Sequence, residues 1–440
     1  MAVIQAFRAV RPAGDKASLV AALPYDVYSR EEAAAAVRGK PDSFLNIDRP
    51  ETAFGPSFDM YSPAAYDHAA ALYEEFKEKG ILLKEEQPCL YLYEETMGGH
   101  TQTGVAALSS VDDYLNGVCR KHENTVEAKE RDRIRHIERL SAQTGPIFLA
   151  YHRDAEIERM KEDVKTAEPL YDFVSDDGIR HRVWRIADPA LISAMKQAFE
   201  KAGCSYIADG HHRAASAVKV ALERRAQYPG YTGDEEFNYF LSVLFPETDL
   251  KILDYNRVVK TLGGLSPQSL LEAISEKTDI IETGTVTREE LEANRVEKGA
   301  VDNAGAALEE KLRPAERHSM GLYLDGRTYL LRWKEELLRK TASDPVRSLD
   351  VSLLQEEVLS GLLGIEDPRT DRRLSFTGGI AGIGRPVREA ADCGGAAFIM
   401  YPTSMEELMR VADAGMLMPP KSTWFEPKLR SGLFIHEFER

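Results

Sequence analysis

A mixed α+β protein of the α/β class is what this sequence predicts, and three observations carry the prediction. The first is alternation: short apolar runs of strand length are separated by stretches whose apolar residues recur every three to four positions, the spacing of a helix with one buried face. The second is size, since 440 residues are enough for two to three domains at roughly 150 residues each. The third is a junction, Ser205-Tyr206-Ile207-Ala208-Asp209-Gly210-His211-His212-Arg213 followed by Ala214-Ala215-Ser216-Ala217, where an apolar strand passes through a polar glycine turn into an Ala-rich helix.

Taken in order, the first 85 residues mix a strand-like start, Pro-containing turns and two helical patterns. The clearer helix runs from Pro63 to Lys79, with Ala65, Ala69, Leu72 and Phe76 on one side, and Gly80 closes it. Cys89 to Tyr93, the turn Met97 to His100 and the strand Thr103 to Leu108 form a hairpin. A charged helix follows from about Thr125 to Leu140. Its polar row Thr125, Lys129, Asp132 and His136 is spaced by four, three and four, and Val126, Ile137 and Leu140 supply an apolar stripe beside it. Asn124 and Glu127 have the spacing of a capping box. The continuous apolar run Pro146 to Tyr151 reads as a buried strand, His181 to Ile186 as another, and Pro189 to Ala202 as a helix leading into the junction. After the junction helix, Asn238 to Phe245 and Leu250 to Tyr255 read as strands, with a domain boundary near residue 260.

The C-terminal region, 261–440, opens with a helix from Pro267 to Ser275, a charged stretch near Arg288 to Arg295, a loop from Gly299 to Ala307, and strands Met320 to Leu324 and Thr328 to Trp333. It then alternates: strand Leu374 to Thr377, helix Arg385 to Ala391, strand Ala396 to Tyr401, helix Ser404 to Ala414 and strand Gly432 to Phe438. No tandem repeat interrupts this pattern.

Composition narrows the function. Apolar residues make up 43% and charged residues 29%, as in soluble globular proteins. The 72 acidic against 56 basic residues give a net charge of -16, which repels nucleic acid and anionic membranes and leaves anions to local basic pockets. Cys89, Cys119, Cys204 and Cys393 are scattered, so neither a disulfide framework nor a cysteine zinc site is expected, and a reducing cytoplasm fits. The N-terminal segment lacks a long apolar run and no stretch reaches the roughly 18 apolar residues of a membrane span, so neither export nor membrane insertion is expected.

The junction is composed like an anion site. The first N–H groups of a helix lack internal partners and carry the positive end of its dipole. Asp209 can cap the helix or hold Mg2+, Gly210 lets backbone approach a ligand, and His211, His212 and Arg213 offer donors to phosphate oxygens. His122 and Glu123, beside Lys121, precede the charged helix, where a glutamate is placed to act as a general base or to hold an amine. The Pro-stiffened segment Met418 to Lys428 gathers Lys421, Ser422, Thr423 and Lys428 with two aromatics, suited to gripping an anion. Gly378 to Arg385 also lies between a strand and a helix, as phosphate loops do, but matches neither G-x-G-x-x-G nor the Walker pattern. Pro24-Tyr25-Asp26-Val27 and Ser43-Phe44-Leu45-Asn46 are read chiefly as turns.

Through Pro24-Tyr25-Asp26-Val27, Lys121-His122-Glu123-Asn124-Thr125, Lys129-Glu130-Arg131-Asp132-Arg133, Asp209 to Arg213 and Lys421 to Lys428, the chain resembles the bacterial DUF1015 family nearly end to end. Within it, the order of Lys-His-Glu, a helix, Pro-Ile into a strand, and Asp-Gly-His-His-Arg opening a helix resembles the ParB/sulfiredoxin-like fold, especially its free L-serine kinases. The resemblance implies such a core with an N-terminal extension in residues 1–260, and a C-terminal α/β addition in 261–440 that contributes a lysine loop. It implies a phosphotransferase that converts free L-serine to O-phosphoserine with ATP or ADP and Mg2+. Glu123 would be the base, Asp209 the metal-linked carboxylate, and Gly210, His211, His212, Arg213 and Lys129 the phosphate site, with His212 also catalytic. His122, Thr125, Lys421, Ser422, Thr423 and Lys428 would meet the substrate. His211 stands where sulfiredoxin has a reactive cysteine, which argues against peroxiredoxin repair. The acidic charge fits poorly with a ParB-type DNA role. The competing expectations are a nucleotide-binding regulator without catalysis and, behind it, a phosphatase or nuclease. The expected partner is a small molecule rather than nucleic acid or membrane, in an assembly of undetermined size.

Overall fold

The computed structural model describes residues 2–293 and 305–438. It is a mixed α/β structure in two units, residues 2–250 with 427–438, and residues 251–426. The division thus falls after Leu250 rather than near 260, and the last residues belong with the first unit instead of with a C-terminal region. Their composition explains the return. Leu433, Phe434, Ile435 and Phe438 are buried, and the backbone of this segment bridges to Ala22, Val10 and Gln143 of the first unit.

The first unit is built on a nine-stranded mixed sheet. Its path runs Cys119–Arg120, Ser205–Asp209, Ile147–Tyr151, Tyr239–Pro246, His100–Ser110, Leu90–Met97, Arg180–Ile186 and Tyr171–Val174, with Ile4–Gln5 added to His100–Ser110. Leu90–Met97 and His100–Ser110 form the expected hairpin. Every residue of Ile147–Tyr151 is buried, as its unbroken apolar run requires. One face of the sheet packs Val105, Leu149, Ile207 and Phe240 against Met195 and Phe199 of the helix Pro189–Ala202 and against Ala214 and Val218 of the helix His211–Gln227. A second core gathers Phe44, Tyr73, Phe76, Leu140 and Ile435.

The second unit carries a six-stranded antiparallel sheet in the order Thr278–Thr285, Arg327–Trp333, Ser319–Leu324, Ala396–Met400, Tyr255–Val259, Leu374–Gly378. The helices Gly305–Leu312 and Gly384–Cys393 cover it through Leu308, Leu312, Val387 and Ala390. The loop expected over Gly299 to Ala307 lies outside the described residues as far as 304, and from Gly305 the chain is helical. The strand expected from Leu250 to Tyr255 divides into Lys251–Leu253, which pairs with Trp424–Glu426, and Tyr255–Val259. Among the described residues no helix is long and apolar enough to cross a membrane.

Candidate functional site

Two strands of the first unit, far apart in sequence, lie side by side and point the same way. Ser205–Asp209 pairs in parallel with Cys119–Arg120, Ser205 opposite Cys119 and Tyr206 opposite Arg120. Each passes at its carboxyl end through a short loop into a helix, Glu127–Leu140 after the first and His211–Gln227 after the second. Adjacent parallel strands followed by helices present their connecting loops at one edge, the usual place for a ligand in an α/β sheet. This pairing brings His122 and Glu123 next to the Asp-Gly-His-His-Arg turn.

The two loops are tied together. The backbone N–H of Val126 donates to His212 Nε2 at 2.9 Å, and that of His122 approaches His211 Nε2 at 3.4 Å. Behind them Ser216 Oγ donates to the Glu130 carbonyl at 3.2 Å, Lys219 pairs with the Glu130 carboxylate, and the Thr125 hydroxyl bonds the same carboxylate. Thr125 and His212, expected at substrate and phosphate, both hold the loops in register.

Gly210 has φ 93°, a backbone that L side chains rarely adopt, and it occupies the N-cap position of the second helix with no side chain capping it. Asp209 is therefore not the cap. Its Oδ2 instead meets Lys428 Nζ at 3.3 Å and Arg213 Nη2 at 3.4 Å. Arg213 folds back over the turn and donates to the Pro146 carbonyl. A Cβ on residue 210 would lie 3.1 Å from the guanidinium, a second reason for glycine there.

Burial by itself would raise the Asp209 pKa, but the Lys428 and Arg213 charges outweigh it and hold the carboxyl well below its usual range. Burial pushes His122 down to about 4, against weaker upward pulls from the Ile207 backbone and Asp209. Burial, then the neighbouring His122, pushes His211 well below its ordinary value. Both imidazoles are neutral near pH 7, so Arg213 and Lys428 supply the positive charge beside the turn and these histidines can contribute only single N–H donors. Their rings stand perpendicular with centroids 4.5 Å apart. One ligand atom each from His122, Glu123 and His211 lie within 4.8 Å of one another, close enough to hold a metal ion, and Asp209 is not among them.

The remaining expected residues are dispersed. Lys129 is exposed on the first turn of its helix. Lys421, Ser422 and Thr423 belong to the second unit. There Lys421 Nζ lies 5.7 Å from the Tyr255 ring centroid, and Ser422 Oγ donates to the Pro419 carbonyl at 2.6 Å, a turn-forming bond. Of that segment, Lys428 belongs to the first unit and meets Asp209. The helix expected from Thr125 begins at Glu127 with Val126 as its uncapped N-cap, so the Asn124–Glu127 capping box is not formed. Val126, expected in the apolar stripe, is 50% exposed. Two members of the polar row are held by the fold: Asp132 accepts from Tyr66 Oη at 2.8 Å, and buried His136 meets the Ile47 carbonyl at 3.1 Å. Tyr25 forms part of a 3-10 turn and lies under the Arg133 guanidinium, 3.9 Å from its ring centroid.

Sequence reasoning did not single out Glu130 as the anchor of the first loop. Its buried carboxylate in an otherwise charged, exposed turn has no signal in periodicity, because its partners Thr125 and Lys219 come from two different segments.

A sequence model of the family described as "Protein of unknown function (DUF1015)" matches residues 4–352. No curated protein matches the chain. Among solved structures, the chain is similar to a free serine kinase in complex with AMP, at 15% identity and a TM-score of 0.30 over 75% of this chain and 91% of that one. It is similar to a conserved hypothetical protein from Pyrococcus furiosus, at 14% identity and 0.31 over 75% and 94%. It is also similar to SbnI with a C-terminal truncation from Staphylococcus aureus, at 12% identity and 0.34 over 75% and 87%.

Proposed function

This chain belongs to the DUF1015 family, and from that premise we propose that it is a phosphotransferase that moves phosphate from ATP or ADP to the hydroxyl of free L-serine, giving O-phosphoserine. The observation that carries the proposal is the parallel pairing of Cys119–Arg120 with Ser205–Asp209, which sets a carboxylate, Glu123, beside an uncapped helix N-terminus flanked by Arg213 and Lys428. Phosphoryl transfer asks for little else from a protein than positioning and cations over the transferring group.

In this reading the donor's phosphates rest on the N–H groups of His211, His212 and Arg213, with the helix dipole behind them. Glu123 takes the proton of the serine hydroxyl as its oxygen forms the new bond to phosphorus. The bond from phosphorus to the bridging oxygen breaks, and the nucleotide departs one phosphate shorter. Lys428 sits where it can balance the charge of the leaving phosphate or of the substrate carboxylate. Asp209 fits a subsidiary metal role. Both of its cationic partners use Oδ2, and one carboxylate with phosphate oxygens is a common Mg2+ arrangement. Mg2+ would supply charge neutralisation between donor phosphates. The reaction is assigned to the cytoplasm.

Mass spectrometry of the purified full chain with Mg2+, L-serine and ATP or ADP tests this. Formation of O-phosphoserine with the matching nucleotide product supports it. Nucleotide binding without turnover of serine overturns it in favour of a non-catalytic nucleotide-binding regulator.

A further inference from the structure

The turn contains a donor set of which the phosphotransfer reading uses only the Glu123 side chain. His122 is 2% exposed, and among the described residues neither of its ring nitrogens makes a hydrogen bond of ordinary geometry, the Ile207 backbone giving it only a weak contact. A buried polar group left without a partner is costly, and native structures rarely keep one without a reason. His211, 6% exposed, stands perpendicular to it across the space between the loops, and the half-buried Glu123 carboxylate completes a triangle of ligand atoms no more than 4.8 Å on a side. Such a triangle encloses a point at most roughly 2.8 Å from each atom. Zn2+ takes imidazole nitrogen at about 2.0–2.1 Å and carboxylate oxygen at about 2.0–2.2 Å, so modest side-chain rotations close the remaining gap.

From this geometry we infer that His122, Glu123 and His211 form a binding site for a divalent transition-metal ion of the Zn2+ class. Two imidazoles and one carboxylate suit Zn2+, Fe2+ or Mn2+ and leave at least one coordination position for water or an anion, whereas Mg2+ and Ca2+ prefer all-oxygen surroundings. The backbone holds the ligands together. His122 and Glu123 are consecutive at the carboxyl end of one strand, and His211 opens the helix that follows its parallel neighbour. The site is separate from the Asp209 carboxylate, which is held by Arg213 and Lys428. The inference does not depend on the phosphotransfer reading, but the two intersect at Glu123. A carboxylate bound to a transition metal no longer accepts a proton, so a protein loaded with Zn2+ transfers phosphate more slowly than the same protein with Mg2+ alone.

The test is Zn2+ binding by the full chain, stripped with chelator and assayed without nucleotide, by competition with a chromophoric chelator and by X-ray absorption of the bound ion. One Zn2+ per chain is expected, with two imidazoles in its first shell. Glu123→Gln and His122→Asn should each weaken it at least about tenfold while circular dichroism shows both variants folded. Glu123→Gln, at a half-exposed position, keeps the test valid if His122→Asn does not fold. Absence of stoichiometric Zn2+, or a tightly bound ion that Glu123→Gln leaves unchanged, overturns the assignment. Because the readout is the ion itself, a failed kinase assay leaves this result intact.

Discussion

The chain contains two strand–glycine–helix junctions that look alike in sequence and differ in the fold. In the first unit, Ser205–Asp209 passes through Gly210 into His211–Gln227. In the second, Leu374–Gly378 passes through Gly379 to Gly382 before the helix Gly384–Cys393. Both have a glycine of positive φ, Gly210 at 93° and Gly382 at 70°, and a helix N-terminus that no side chain caps, but at the first a parallel neighbour brings a second polar loop to the same edge. At the second, the strand lies at the end of an antiparallel sheet beside Tyr255–Val259. There a Cβ on Gly378 would fall 2.5 Å from the Trp424 ring and one on Gly379 2.5 Å from Asp254 Oδ1. These glycines make room for neighbours already in place. A strand, a glycine turn and a helix are thus not a site by themselves. What the first junction adds is a parallel partner whose own loop arrives beside it.

Glu123→Gln is expected to have the largest effect on this comparison. It removes the proposed base while leaving the turn intact, so serine phosphorylation should fall by roughly 10²–10⁴-fold with ADP affinity retained, as measured by product formation beside calorimetry. No change at Arg385, exposed at the start of the second junction's helix, should alter either quantity.

Arg213→Ala comes next, read in urea denaturation. It strands the buried Pro146 carbonyl and leaves Asp209 with Lys428 as its cationic partner, so a loss of about 2–4 kcal/mol is expected. Arg385→Ala, the corresponding change at the other junction, should stay within about 0.5 kcal/mol. Equal losses would erase the distinction between the junctions. Gly378→Ala sharpens it from the other side. Crowding against Trp424 should destabilise the protein by about 1–3 kcal/mol while ADP binds as before, whereas loss of ADP binding would return the second junction to the phosphate site.

The smallest effect is on acid stability. Lys428 and Arg213 depress the folded-state pKa of Asp209 despite its burial. The stabilisation it contributes is therefore complete above the unfolded-state value near about 4 and is lost as pH falls below it. Thermal unfolding of Asp209→Asn should show a shallower decline than the parent chain on acidification below about pH 4. An unchanged slope would mean the Lys428 and Arg213 contacts do not act on this carboxyl.

What the sequence disclosed is local. The hairpin, the buried strand Ile147–Tyr151 and the helix after Gly210 each carry their own periodicity or punctuation, and each forms. The residues of the turn were legible for the same reason. What joins them was not. Cys119–Arg120 is two residues long, too short for any period, yet its parallel pairing delivers His122 and Glu123 to the turn. The capping box at Asn124 and Glu127 failed because the loop is instead held by bonds from Val126 to His212 and from Thr125 to Glu130, partners that sequence spacing does not connect. Composition singled out Lys421, Ser422, Thr423 and Lys428 together, and the burial of Leu433 to Ile435 explains why Lys428 belongs to the first unit and the other three to the second.

The most direct test of the central claim, that the nucleotide phosphates bind at the paired strand ends of the first unit, is calorimetric titration of Mg2+-ADP into the parent chain, His212→Ala and Arg385→Ala. Loss of affinity of about tenfold or more in His212→Ala, with Arg385→Ala unchanged, is the predicted result. Full affinity in His212→Ala together with loss in Arg385→Ala would contradict it and place the phosphates at the second junction.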